Sequence, residues 1–297
     1  MVQQLSDTES TEFDYTIDEL DISHLTIEDD TPVDNFQSAQ QQRLLVDMLC
    51  SNDTLPLPFI AEANVGLFYK LKGEPIVPDM MLSLDVQRAE DLSERRDRAY
   101  FVWEFGKVPD VCIEIVSNRE GDEVALSAKS KRKGKTRSKK DLYAQIAVPY
   151  YAVYDPLRQI QDVDNMDGAL LRVWQLVSGQ YVELTASAGI SDIGQTVQLD
   201  TIGIGLTLWE GFYEEEVTRQ WLRWCDSHDR VLPTGAEGKA IERQRAEAER
   251  QRAEAERQRA EAERQRAEAE RQRAEAERQR ADRLAEKLRQ LGVDLDD

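Results

Sequence analysis

Glu114 interrupts an otherwise apolar, β-prone run, Val111-Cys112-Ile113-Glu114-Ile115-Val116, opened by Pro109-Asp110 and closed by Ser117-Asn118. Such a run reads as a strand covered on both faces of a sheet. An ionised carboxylate there is costly unless a cation, a metal or a hydrogen-bond network compensates it. Asp79 follows Pro78 at the mouth of a second strand-like run, Met80-Met81-Leu82-Ser83-Leu84. Lys139 and Lys140 open a helix-like segment, four and three residues before Tyr143. Two carboxylates on adjacent strands offer the oxygen chemistry that holds a hard divalent cation such as Mg²⁺ or Mn²⁺. A lysine beside them can orient or deprotonate a water, or stabilise the charge that builds on a phosphorus centre, while a metal polarises the phosphate. That is a minimal set for phosphodiester hydrolysis, and it needs neither His nor Cys. Each residue also has a plainer reading: a turn residue after proline, a structural buried ion pair, a member of a charge run.

The elements that must position these residues follow from hydrophobic patterning. A helix is expected from Asn35 to Leu49, with Phe36, Leu44, Leu45, Met48 and Leu49 as its apolar face. Strand-like pieces follow at Phe59–Glu62, Val65–Tyr69, Met80–Leu84 and Tyr100–Trp103, before the Glu114 strand. A helix over Lys139–Ile146 then leads into the aromatic strand Tyr150–Tyr154, so that strand, helix and strand form a crossover unit. Leu170–Val177 and Tyr181–Leu184 flank Ser178-Gly179-Gln180 and read as a hairpin.

Charge is unevenly distributed over the 297 residues. The formal net charge is −20, and residues 1–42 contain eleven Asp or Glu with no Lys or Arg. Residues 1–35 therefore read as an acidic flexible leader. One segment is strongly basic, with Lys129, Lys131, Arg132, Lys133, Lys135, Arg137, Lys139 and Lys140 close together. The acidic balance argues against non-specific nucleic-acid binding over the whole surface. The basic run is either a solvated loop or a local arm that reaches a phosphate backbone. Three separated cysteines and two histidines exclude a disulfide framework and argue against a His/Cys zinc site. No run is long and apolar enough for a membrane span, and the expected location is cytoplasmic.

The C-terminal region is a different object. ERQRAEA repeats every seven residues from Glu242, and Gly and Pro are absent from Lys239 to Leu291. A long helix over 239–291 is expected, followed by an acidic tail at 292–297. Ala246 and Ala248 are two residues apart, about 200° around the helix, so the period supplies no continuous apolar seam. Arg243–Glu247 and Arg245–Glu249 fall at i,i+4, and Glu247–Arg250 and Glu249–Arg252 at i,i+3, which supports a solvated single helix over a coiled coil. Only Leu284, Leu288 and Leu291 offer a short apolar stripe, as a helix end or a weak self-association handle.

The stretches GEPIVPDMMLSLDV, YFVWEFGKVPDVCIEIVSNREGDE and KKDLYAQIAVPYYAVYDP resemble the Uma-two family of restriction-type endonucleases, within the PD-(D/E)XK nuclease superfamily. The resemblance spans residues 36–215 and is most specific at PDVCIEIVSN, at a lysine four before a tyrosine, and at PYYAVYDP. It implies an α/β, restriction-endonuclease-like fold over 36–235, with a mixed β-sheet flanked by helices, plus the long charged C-terminal helix. It implies Asp79 as the PD aspartate and Glu114 as the second carboxylate, both on Mg²⁺ or Mn²⁺, with DNA as substrate. The superfamily lysine normally stands two residues after that glutamate, where this chain has Val116; the family resemblance moves the role to Lys139. A basic insertion from Val124 to Arg137 leaves Lys140 and Lys129 as alternatives. Within it, Lys131, Arg132, Lys133, Lys135 and Arg137 are the expected phosphate contacts. Glu62 is either a further acid of the metal shell or a surface strand residue. The alternative to a metal-dependent endonuclease is an inactive nuclease-fold protein that acts through its charged helix. That helix is also where a homo-oligomer contact or a partner protein would dock.

Overall fold

The computed structural model of the protein describes residues 35–290 except Glu90, Glu120, Lys133, 186–188 and 215–216, and excludes the side chains of Arg95, Arg96, Ala128 and Lys129. The acidic leader, the expected phosphate contact Lys133, Leu291 and the 292–297 tail lie outside the described residues, as does the Lys129 side chain. The chain divides into two units, Met1–Gly235 and Ala236–Asp297.

The first unit opens with α1 (Phe36–Cys50), started by the Asn35 side chain, whose oxygen accepts the Ser38 N–H at 2.9 Å. Leu44, Leu45, Met48 and Leu49 are buried along one stripe, as expected. Phe36 is not part of it and is 91 % exposed. At ~100° per residue it projects away from the Leu44–Leu49 stripe, so the expected apolar face was one residue too generous.

The strands are β1 (Phe59–Glu62), β2 (Leu67–Phe68), β3 (Met80–Leu84), β4 (Tyr100–Phe101), β5 (Val111–Ile115), β6 (Tyr150–Tyr154), β7 (Leu171–Val177), β8 (Gln180–Glu183), β9 (Thr196–Leu199), β10 (Ile204–Gly211) and β11 (Arg219–Cys225). Six of them form one mixed sheet in the order β1-β3-β5-β6-β7-β8. Only β5 and β6 run parallel within it, and the connection between them carries two helices, α3 (Ala128–Arg132) and α4 (Lys139–Gln145). A parallel pair requires such a crossover, whereas the antiparallel neighbours do not. The β7–β8 hairpin closes through Ser178 and Gly179, both at positive φ (51° and 79°), the backbone that a two-residue turn of matching twist demands.

Both faces of the sheet are covered, which explains the unbroken apolar runs. Val111, Ile113 and Ile115 join Tyr150, Ala152 and Tyr154 in a core with Leu44, Leu45 and Met48 of α1. On the opposite face Cys112 and Val116 join Tyr151, Val153 and Trp174 under Tyr143 of α4. Strand alternation places Glu114 on this second face.

Three expectations need adjustment. The Val65–Tyr69 run contributes only the two residues of β2, which pair in parallel with β4. The aromatic run Tyr100–Trp103 is a two-residue strand that turns into a one-turn helix, α2 (Val102–Phe105), stopped by Gly106 at φ 69°. A second, three-stranded sheet, β11-β10-β9, was not anticipated from the patterning. It packs into the α1 core through Leu206, Leu208, Trp221, Leu222 and Trp224.

Gln41 joins α1 to that second sheet. Its side chain is fully buried, donates to the Leu222 carbonyl at 2.7 Å and accepts the Leu222 N–H at 3.0 Å. It thereby acts as one residue of a missing neighbour strand on the open edge of β11. The indole of Trp224 adds a bond to the Leu45 carbonyl at 3.0 Å.

The second unit is a helix, α5, whose span Gly235–Gln290 (56 residues) begins four residues earlier than expected. At ~1.5 Å rise per residue it is roughly 84 Å long. None of its described residues is buried, in keeping with the absence of an apolar seam in the repeat. No described helix is long and apolar enough to cross a membrane.

Gln41→Ala leaves the buried Leu222 N–H and C=O without partners, and we expect a loss of about 2–4 kcal/mol in urea unfolding of the protein. Phe36→Ala is the contrast, with a change under about 0.5 kcal/mol at its exposed position.

Candidate active site

Asp79 and Glu114 meet because β3 and β5 are antiparallel neighbours in a register that pairs Met80 with Ile113 and Met81 with Cys112. One step further along the same register sets Asp79 opposite Glu114. The Asp79 carboxylate is held there: Oδ2 accepts the Ile115 N–H at 2.6 Å and Oδ1 accepts Gln42 Nε2 of α1 at 2.9 Å. Gln42 is itself oriented by Asn64, whose Nδ2 donates to its Oε1 at 3.0 Å.

Glu114 is 1 % exposed, and each of its oxygens has a donor from α4. Tyr143 Oη donates to Oε1 at 2.8 Å, and Lys139 Nζ donates to Oε2 at 2.6 Å. The four-residue spacing of Lys139 and Tyr143 puts both on one helix face, so α4 grips a single carboxylate with two side chains. The helix begins at the right place because Ser138 and Asp141 form a reciprocal capping box. The Lys139 N–H also donates to the Asp122 carbonyl at 2.7 Å. Lys139 is the edge of the site, with a side chain 38 % exposed beside a Glu114 that solvent does not reach.

Burial pushes the Glu114 carboxyl up to about 8, against the pull of the Lys139 ammonium and the two donors, while Asp79 pushes it further up. Burial alone would lower Lys139, but the carboxylates of Glu114 and Asp79 outweigh it and hold the ammonium above its ordinary range. Tyr143 is raised by burial and keeps its proton, as its role as donor requires. Lys139 is thereby held as an ammonium.

The other expected residues are distributed as follows. Lys140 lies over the Trp174 ring, 5.0 Å from its centroid, and burial lowers its pKa. Val116 is buried in the α4-side core, so the usual superfamily lysine position is occupied by an apolar side chain. In the insertion Lys131 and Arg132 are exposed, Lys135 is bound to Asp122 at 2.7 Å, and Arg137 is bonded to Gln145. Lys135 therefore holds the insertion to the body through Asp122, which also receives Ser130 Oγ at 2.7 Å. Glu62 is ion-paired with Arg88. The cleft lined by Ile60, Glu62, Met81, Arg88 and Tyr100 includes none of Asp79, Glu114 and Lys139, so the site is defined by its side-chain geometry.

Sequence reasoning did not assign roles to Gln42, Asn64 or Glu123, and noted Tyr143 only as a spacing marker. A polar run Gln40-Gln41-Gln42 inside a helix was the available signal for the first, since all three are buried. Among the described residues no group of three or more His, Cys, Asp or Glu is arranged to hold a metal. What is present is two oxygen-donor carboxylates on one sheet face, one of them buried with a raised pKa. That donor set fits a hard divalent cation, which would favour the ionised form of Glu114.

The family model Uma2, described as "Putative restriction endonuclease", matches residues 20–208, more than half of the chain. The chain belongs to the Uma2 family. No curated protein and no solved structure matches it. Membership supports a nuclease, and the mixed sheet with flanking helices is the α/β, restriction-endonuclease-like fold. In this Uma2 protein the family match spans both carboxylates, Lys139 and Tyr143.

A carboxyl raised to about 8 stabilises the fold below the ordinary carboxylate range and loses that contribution as pH rises through about 8. Without metal, the melting temperature of the wild type should therefore fall by several degrees relative to Glu114→Gln between about pH 5 and about pH 9. Parallel pH profiles for the two proteins would mean that Glu114 is ionised throughout.

Proposed function

We propose that this Uma2 protein is a divalent-metal-dependent endonuclease that hydrolyses phosphodiester bonds of DNA in the cytoplasm. The observation that carries the reading is the buried Glu114, tied to Lys139 at 2.6 Å and facing Asp79 across two strands. A carboxylate is hard to keep in a doubly covered sheet for structural reasons alone, since an apolar residue would pack there without a desolvation cost.

Asp79 and Glu114 would hold Mg²⁺ or Mn²⁺, which when bound supplies Lewis acidity to the phosphate and lowers the pKa of a water. The rest of the chemistry belongs to the protein. Gln42 and the Ile115 N–H fix the Asp79 carboxylate, so that its orientation is set before substrate arrives. Tyr143 fixes Glu114 from behind. Lys139, charged and open to solvent on one side, donates to a phosphate oxygen and stabilises the negative charge that develops at phosphorus. Lys131 and Arg132, exposed on the insertion, contact the backbone without reading bases.

The test is cleavage of plasmid DNA with Mg²⁺ or Mn²⁺ and with chelator. Asp79→Ala and Glu114→Ala should abolish metal-dependent cleavage, and Lys139→Ala should slow it by about 10²–10³-fold. Tyr143→Phe should lower it less. Cleavage that persists unchanged in the carboxylate variants would remove the site from the reaction.

The exposure of α5 along its whole length supports a separate role for it as a solvated spacer, able to present a partner protein to the catalytic unit or to act alone on an inactive scaffold. Sedimentation of the full chain and of a chain lacking residues 242–297 should give the same oligomeric state. A change on truncation would assign self-association to the helix.

A further inference from the structure

Glu123 is a buried carboxylate beside the site that the mechanism above leaves unused. Its backbone carbonyl accepts the Tyr151 hydroxyl at 2.8 Å and the Lys140 N–H at 3.1 Å. The neighbouring Asp122 carbonyl accepts the Lys139 N–H, so residues 122 and 123 are stitched to the first turn of α4. The Glu123 residue is 7 % exposed, and its Oε2 is buried with no hydrogen-bond partner among the described residues. The carboxylate is near enough to Lys139 and Asp79 for both to act on its ionisation. Buried polar atoms are nearly always satisfied, so an open acceptor at a reaction centre asks which donor it serves.

Lys139 has donors to spare. An ammonium carries three N–H groups, and the bond to Glu114 Oε2 uses one. A divalent cation on Glu114 would repel an ammonium that sits 2.6 Å from the same carboxylate. The ammonium then needs a second anionic acceptor within reach of the same helix position. We propose that Glu123 is a positioning residue for Lys139: its open carboxylate oxygen is the seat to which the ammonium turns when a cation competes for Glu114. The inference rests on Asp79 and Glu114 being the cation site. It explains why the carboxylate is kept beside α4 with one oxygen free, and it keeps Lys139 pointed at the site instead of at solvent.

The experiment is competitive labelling of lysines with an amine-reactive reagent, read by mass spectrometry, on the full-length wild type, Glu123→Gln and Glu123→Asp, with and without Mg²⁺. With Mg²⁺, Lys139 should label severalfold faster in Glu123→Gln than in the wild type, and without it the two should differ little because Glu114 holds the ammonium; Glu123→Asp, which keeps the charge, should restore the slow rate with Mg²⁺. Mn²⁺ affinity, followed by the resonance of the free ion, should fall about tenfold in Glu123→Gln, as for groups that support metal ligands. Equal Lys139 labelling in all three proteins with Mg²⁺ present overturns the inference, whatever the cleavage activity. Thermal melts check the fold, and Glu123→Ala replaces Glu123→Gln if that variant does not fold. A wild type that neither binds Mn²⁺ nor cleaves DNA would overturn the proposed function and the seat with it, whereas a wild type that binds Mn²⁺ but labels at Lys139 as fast as Glu123→Gln would overturn the inference alone.

Discussion

The contact between Glu114 and Lys139 is the constraint around which the α4-side face of the sheet is organised. β5 is covered on both faces, so nothing at Glu114 is solvated. The carboxyl is accommodated because α4 delivers a cation and a hydroxyl to its two oxygens, and burial still raises it to about 8. Removing one partner from a buried pair is far more damaging than replacing both, because the remaining charge is left without compensation. The position of α4 is therefore not free. Its first residue must reach Glu114, and its fifth must bury an aromatic ring against Tyr151, 5.0 Å away between centroids.

That requirement explains the crossover between β5 and β6. A parallel pair needs a connection, but the connection here also has to place Lys139 at the first turn of a helix packed on that face of the sheet. The capping box at Ser138 and Asp141 fixes where the helix starts. The Asp122 carbonyl fixes it relative to the end of β5. The basic insertion is accommodated by looping out between these two anchors, with Lys135 and Ser130 closing it onto the Asp122 side chain. An insertion of this length can vary without moving the site, provided that both anchors remain.

The local elements were legible where burial is two-sided or one-sided in a regular way. β5, β6, α4, the β7–β8 hairpin and most of α1 follow from patterning, and the odd charge in an apolar run marks Glu114. The second sheet was not legible, because β9–β11 mix apolar residues with polar ones, of which Thr207 and Arg223 are buried only by tertiary contacts. Phe36 misled because hydrophobicity says nothing about which side of a helix meets a core. The Tyr100–Trp103 run misled because aromatic residues suit a strand, while Gly106 at positive φ stops a turn of helix there. At the site, carboxylates and lysine can be named from spacing. Their supporting residues cannot, because Gln42 reaches Asp79, and Asn64 reaches Gln42, only through the packing of α1 beside β3.

The overall charge bears on how such a site could work on DNA. A chain of net charge −20 repels a polyanion at long range, and the acidic residues 1–42 add to that repulsion. Attraction must then be local, and two of the basic insertion residues, Lys135 and Arg137, are already engaged with Asp122 and Gln145. On the proposed reading, the charge balance at the site itself decides whether a phosphate can approach. Asp79, Glu114 and Glu123 bring three carboxyl groups near one ammonium, and a divalent cation that draws Glu114 into its ionised form also offsets the negative charge that a phosphate would otherwise meet. Cation binding and substrate binding are thereby coupled by electrostatics, and a protein built this way needs no broad basic surface to engage DNA at one place.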